Sequence, residues 1–184
     1  MKAKEVHSIL RETLFPALRA NSFLPVTKGK KAWYREGQRY QIVKFQLDPH
    51  FGYLQLVGGR LYLRAWVSEI LFDQPESPAL SLTPMDLMPA AVRAAMKELN
   101  DRVSHKIMRQ DWDAFLETIA DAQARALMMR ARSDLSASLT TPFDETERLD
   151  AMNYHDADDV YSWAKFLARS IPCVVESLNE RDCC

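Results

Sequence analysis

The chain has 184 residues, 47% apolar and 27% charged, an ordinary folded composition that suits one domain with a sizeable core and would cramp two. Its net charge of −1 hides an asymmetry: residues 1–64 carry 12 Lys or Arg and 4 Asp or Glu, net +8, and residues 65–184 carry 12 basic and 21 acidic residues, net −9. Glu5 and Glu12 precede any long apolar run, the longest stretch without a charged residue is 49–59, and Cys173, Cys183 and Cys184 crowd the C-terminus without a framework spacing. We therefore expect a cytoplasmic protein with no cleaved leader, no membrane association and no disulfide scaffold.

Taken in chain order, residues 3–20 read as an amphipathic helix. Val6, Ile9, Leu10, Thr13, Leu14, Ala17 and Leu18 share one face, and Pro16 predicts a kink or break. "NSFLPVTKGK" is a connector. From residue 31 to 69 the period changes to two. "KKAWYRE" and "RYQIVKFQL" flank a turn at Gly37, and "YLQLV" and "RLYLRAWVS" flank Gly58-Gly59, which predicts four antiparallel strands in meander order. The rest is helical. Thr83-Pro84 with Asp86 is a helix start, and a helix beginning there or after Pro89 should reach Ile107. A second is expected from Asp111, with Trp112, Phe115, Leu116, Ile119, Gln123, Ala126 and Leu127 along one stripe. Thr141-Pro142 with Asp144 repeats the start chemistry, and 156–168 and 172–179 are two further helices separated at Pro172.

Alternation sorts the sheet residues into two faces. One collects Val43, Phe45, Leu47, Leu54, Leu56, Leu61, Leu63, Ala65 and Val67, and must pack on a helix, most simply the first. The other interleaves rings with cations: Lys31, Trp33, Arg35, Tyr40, Ile42, Lys44, Tyr53, Arg60, Tyr62, Arg64 and Trp66. Rings that stack on bases and cations that meet phosphates are how sheet surfaces hold single-stranded nucleic acid. The same pattern also stabilises any sheet through cross-strand contacts, and the acidic helical half has to pack somewhere. The second reading carries more weight, because charge patterning is more often structural. Trp33, Arg35, Tyr40, Lys44, Arg60, Tyr62, Arg64 and Trp66 are the candidate binding residues.

"NYHDADDVY" gathers His155, Asp156, Asp158 and Asp159, but it lacks the glycine, the distal Glu and the ligand intervals of a calcium loop. It reads as a helix start with Asp156 as N-cap, so no metal site is expected. The four histidines are scattered, no nucleophile turn occurs, and the five glycines build no phosphate-cradling loop, so neither catalytic residues nor a cofactor are assigned. Met85, Met88, Met128 and Met129 are expected to fill gaps in the core.

The succession "LRETLFPALRANSFLPVTKGKKAWYRE", "YQIVKFQLDPHFGYLQL" and "RLYLRAWVSEI" resembles the bacterial family labelled domain of unknown function 4304, over roughly residues 8–70. Members of that family follow a helix ending in Gly-Phe with an aromatic-rich strand and two further strands. Here Ser22-Phe23 stands at the Gly-Phe position, and Ala65-Trp66 stands where Leu-Gly is common. The resemblance implies an architecture and no activity.

The expected fold is α+β: a four-stranded antiparallel meander, the first helix on one face and the C-terminal helices on the other face or at one end. One domain spans 1–184, with a sheet-containing part to about 70 and a helical part over 83–182. The expected function is that of a small bacterial, non-enzymatic module binding another protein, in the manner of an immunity protein. The alternative is single-stranded nucleic-acid binding on the basic, aromatic sheet face.

Overall fold

A computed structural model describes residues 2–26, 32–48, 59–71, 81–138 and 151–183. The N-terminal helix is broken as Pro16 predicts: α1 (Ala3–Thr13) ends before Leu14, and α2 (Phe15–Ala20) restarts with the proline in its first turn, where a missing N–H costs nothing. Ser22 then closes α2 with φ 66°, its N–H bonded to the Arg19 carbonyl and that of Phe23 to the Leu18 carbonyl. This is the paired-bond ending that favours glycine at the left-handed position, and it drops Phe23 into the core.

Among the described residues the sheet has five strands, not four, in the order β1 (Leu24–Pro25), β2 (Ala32–Glu36), β3 (Tyr40–Asp48), β4 (Gly59–Ser68) and β5 (Met152–Tyr154), every neighbouring pair antiparallel. The predicted strand "YLQLV" and Gly58 lie outside the described residues, and β3 pairs directly with β4 rather than through an intervening strand. β5 joins from far along the chain. Tyr154 covers Gly59, where a Cβ would overlap its ring, so glycine is required at that crossing.

The helical half holds α3 (Pro84–Leu87), α4 (Ala90–Thr118), α5 (Ala122–Ser138) and α6 (Ala157–Asp182). Thr83 is the expected N-cap, its N–H and hydroxyl donating to Asp86 Oδ2 (2.9 Å each), but the helix it starts is a single turn, and α4 starts afresh after Pro89. α4 runs unbroken past both Ile107 and Asp111, so the predicted stripe from Trp112 to Leu127 is divided between α4 and α5. The start at Thr141 lies outside the described residues. Pro172 does not divide α6. Val160, Trp163, Ala164, Leu167, Ile171, Val174 and Leu178 bury one continuous stripe across it. At about 1.5–3 kcal/mol for each large side chain, that burial outweighs the roughly 3 kcal/mol an internal proline costs.

One core joins α1, α2, α6, the first half of α4 and the sheet face of Val43, Phe45, Leu61, Leu63 and Ala65. The first helix therefore packs where expected. α6 shares that same face, beside α1, instead of covering the opposite one. Helix side chains also close the edge at β5: the Asn153 N–H donates to Asn100 Oδ1 (3.1 Å), and its carbonyl accepts from Trp163 Nε1 (2.7 Å). Further along β4, Ala65 exchanges two backbone bonds with Leu82. Both contacts occupy strand groups that would otherwise invite pairing with another chain.

Candidate functional site

The two sheet faces differ from the predicted ones at β2. Glu36 pairs with Tyr40 across a three-residue turn, so Trp33 lies opposite Val43 and Arg35 opposite Gln41. Directly paired residues share a face. Trp33 and Arg35 therefore belong with the apolar side, and Ala32, Tyr34 and Glu36 take their place beside Tyr40, Ile42 and Lys44. A turn one residue shorter would have exchanged them, because the side-chain period along a strand is two.

Trp33 is buried under the N-terminal helices, its ring 4.7 Å from that of Phe15 and 5.7 Å from the Arg19 guanidinium. Arg35 stacks 5.8 Å from the Phe23 ring and donates to Gln41 Oε1 (2.6 Å) and to Asn179 Oδ1 on α6. Neither is available for stacking on bases or meeting phosphates from the other face. Tyr40, Lys44, Arg60, Tyr62 and Arg64 do share the second face and are half-buried, with Lys44 directly opposite Arg64. Trp66 lies on that face too, but is only 2% exposed, beside fully buried Ile42. Tyr34 is the ring that sequence reasoning missed there, edge-on to Tyr40 at 6.0 Å. The length of the turn at Gly37 was the signal that could have found it.

The apolar side ends in a polar latch that joins the β2–β3 turn to the end of α6. Asp182, at the last turn of α6 and 6% exposed, accepts from the backbone N–H groups of Gln38 and Arg39 (2.9 Å each) and from Gln41 Nε2 (3.2 Å). Arg39 Nε approaches the same carboxylate at 3.4 Å, and Arg39 Nη2 caps the helix by donating to the Arg181 and Asp182 carbonyls. Burial pushes the Asp182 carboxyl up, and the bonds from Gln41, Gln38 and Arg39 outweigh it, holding the group below its ordinary range. A Cβ on Gly37 would overlap this carboxylate, which explains the glycine. The arrangement is a joint, fully satisfied by protein groups.

The cluster at the start of α6 is occupied in the same way. Asp156 accepts from the Asp158 and Asp159 N–H groups as N-cap, as expected, and Asp159 accepts from the His155 N–H (2.9 Å). The Lys106 ammonium sits between their remaining oxygens, 2.6 Å from Asp156 and 3.0 Å from Asp159. Burial works against both charges, but the contacts between them raise the Lys106 pKa and lower that of Asp156. A lysine already fills the position a cation would take, so His155, Asp156 and Asp159 build a helix start.

The methionines divide. Met88 is in the core with Met85 packed against it, whereas Met129 is 56% exposed and neighbouring Leu127 is 64% exposed. Both lie on α5, whose only substantial packing neighbour among the described elements is α4. Asp121 caps α5 by accepting from the Ala124 N–H (2.6 Å), and Arg125 Nη2 donates to the Ile119 carbonyl (2.6 Å), so local bonds set the corner between the two helices. Every described side chain of α5 from Ala122 to Leu127 is exposed.

Compared with protein-family models, with curated proteins and with solved structures, the chain matches none. Among the described residues, no helix is long and apolar enough to cross a membrane.

Proposed function

We propose that the protein is a small bacterial cytoplasmic module without enzymatic activity, whose work is to bind another protein. The observation that carries this reading is α5, a helix of 17 residues that exposes Leu127 and Met129 and whose only substantial packing neighbour among the described elements is α4. Helices of this length are marginal alone in water, and in proteins most of their stability comes from burying an apolar face. Leu127 and Met129 are two residues apart and lie on opposite sides of α5, so a partner packed along either side would supply part of that burial. Size and architecture fit a module that occupies another protein, as an immunity protein occupies a toxin, and the resemblance to domain of unknown function 4304 supports the same architecture. The test is affinity capture from native lysate with the wild type and with Leu127→Glu/Met129→Glu. The reading expects a protein retained by the first and lost with the second. Repeated capture that yields no such protein contradicts it.

A second reading has one observation in its favour: Tyr40, Lys44, Arg60, Tyr62 and Arg64 share a sheet face with Tyr34. Single-stranded nucleic acid would stack on the tyrosines and set phosphates against the cations. Trp33, Arg35 and Trp66 do not contribute, which removes the largest rings from the surface. Titration of labelled single-stranded RNA and DNA at low salt checks it, with binding that weakens steeply as salt rises expected if it holds.

A further inference from the structure

A cleft of about 340 Å³ opens between α4 and α6. α4 lines it with Glu98, Leu99 and Arg102, and α6 lines it with Lys165, Phe166 and Arg169, the same one- and four-residue offsets on each helix. Such offsets place each set on one helix face. Leu99 belongs to the core and Phe166 packs against it, so the floor is apolar, while Arg102, Lys165 and Arg169 are exposed along the walls. Among the described residues, none of these three cations pairs with a carboxylate. Lys106, by contrast, is held between Asp156 and Asp159. The local balance is three cations to one acid, in the part of the chain (residues 65–184) that carries 12 basic and 21 acidic residues overall.

We propose that this cleft docks a short acidic, amphipathic segment of a partner protein, with an apolar side chain over Leu99 and Phe166 and carboxylates against Arg102, Lys165 and Arg169. An apolar floor between charged walls is the geometry that receives one face of a helix. Charge complementarity sets its sign. The basic stretch is also short. Exposed Asp158 precedes it on α6 and exposed Glu176 follows two turns after Arg169, so a continuing phosphate backbone would run onto acids at either end. A peptide of one to two turns, about 5–10 Å of helix, fits between them. The inference rests on the protein-binding reading and adds to it a second surface and the chemistry of what that surface recognises.

The test is selection of a displayed random peptide library, about 12 residues long so that two to three helical turns can form, on the wild-type protein. The expected peptides are net acidic with apolar residues three or four apart. Their dissociation constants, read by fluorescence anisotropy, should rise at least about tenfold in Lys165→Glu/Arg169→Glu and should also rise with salt. Both side chains are exposed, so circular dichroism should show the variant folded. Enrichment without acidic bias, no enrichment, or affinity unmoved by the reversal overturns the cleft. Peptides whose affinity falls with Leu127→Glu/Met129→Glu and ignores Lys165→Glu/Arg169→Glu overturn the cleft and leave the protein-binding reading in place. A wild type that captures no partner in lysate and enriches no peptide removes both.

Discussion

Ser22 holds a φ of 66° at the end of α2, where an L side chain pays a steric cost that glycine avoids. It also occupies the position where the resembling family has Gly-Phe. Ser22→Gly should therefore raise stability by about 0.5–1 kcal/mol, the relief of strain being partly offset by a freer unfolded chain. A urea midpoint that falls instead would contradict the described ending of α2. The Asp182 joint predicts a larger effect. Asp182→Ala strips the Gln38 and Arg39 N–H groups and the Gln41 amide of their shared acceptor, and should cost about 2–4 kcal/mol. Because the native carboxyl titrates below its unfolded value, its contribution is present above the unfolded pKa of about 3.9 and is lost as pH falls through the native one. Asp182→Asn should flatten the acid limb of stability measured by urea unfolding at stepped pH, leaving the part due to Asp156. An unchanged acid limb would show that the carboxylate is not held as described.

At the scale of elements, what was legible depended on how far apart the partners lie. The cap at Asp156 and the break at Pro16 depend on bonds within a few residues, and both were readable from the residues themselves. The α+β class and an antiparallel sheet followed from alternation, whereas the direct pairing of β3 with β4 did not, because "YLQLV" was expected to stand between them. β5 did not, because Met152–Tyr154 is three residues long and becomes a strand only through β4, Asn100 and Trp163. The face of Trp33 turned on one residue in the turn at Gly37. Pro172 misled because the stripe from Val160 to Leu178 overrides the local penalty. Pro172→Ala should accordingly raise stability by about 1–2 kcal/mol in urea unfolding, since the helix regains a backbone donor while the unfolded chain gains freedom. A loss of stability would mean that the proline supports α6 in a way its helical geometry does not indicate. α5 makes the opposite case. With Leu127 and Met129 in solvent, Leu127→Glu/Met129→Glu should leave stability within about 0.5 kcal/mol, and a drop of several times that would mean these side chains are already covered.

At the scale of the molecule, the charge asymmetry in the sequence fits either a basic site for an anionic partner or two parts of one fold that attract each other, and the structure bears on the second. Some of it is internal: Arg35 and Arg39 from the basic end reach Asn179, Asp182 and the final carbonyls of α6. Among the described elements, α6 packs beside α1 on the apolar face rather than over the basic one, while Ile42 and Trp66 on the basic face are nonetheless buried. Six of the eight candidate residues share the second face, Tyr40, Lys44, Arg60, Tyr62 and Arg64 half-buried and Trp66 buried, while Trp33 and Arg35 are committed to the first. The proposed function places the work of the protein in binding another protein through its helical surface and not in holding nucleic acid on the sheet. One experiment separates the two: quantitative affinity capture from lysate, with and without nuclease, comparing the wild type with Leu127→Glu/Met129→Glu and Lys44→Glu/Arg64→Glu. Binding through the helical surface predicts a protein partner retained by the wild type and by the sheet variant, lost with the helix variant and indifferent to nuclease. Retention that survives the helix substitutions but disappears with the sheet substitutions or with nuclease would contradict it.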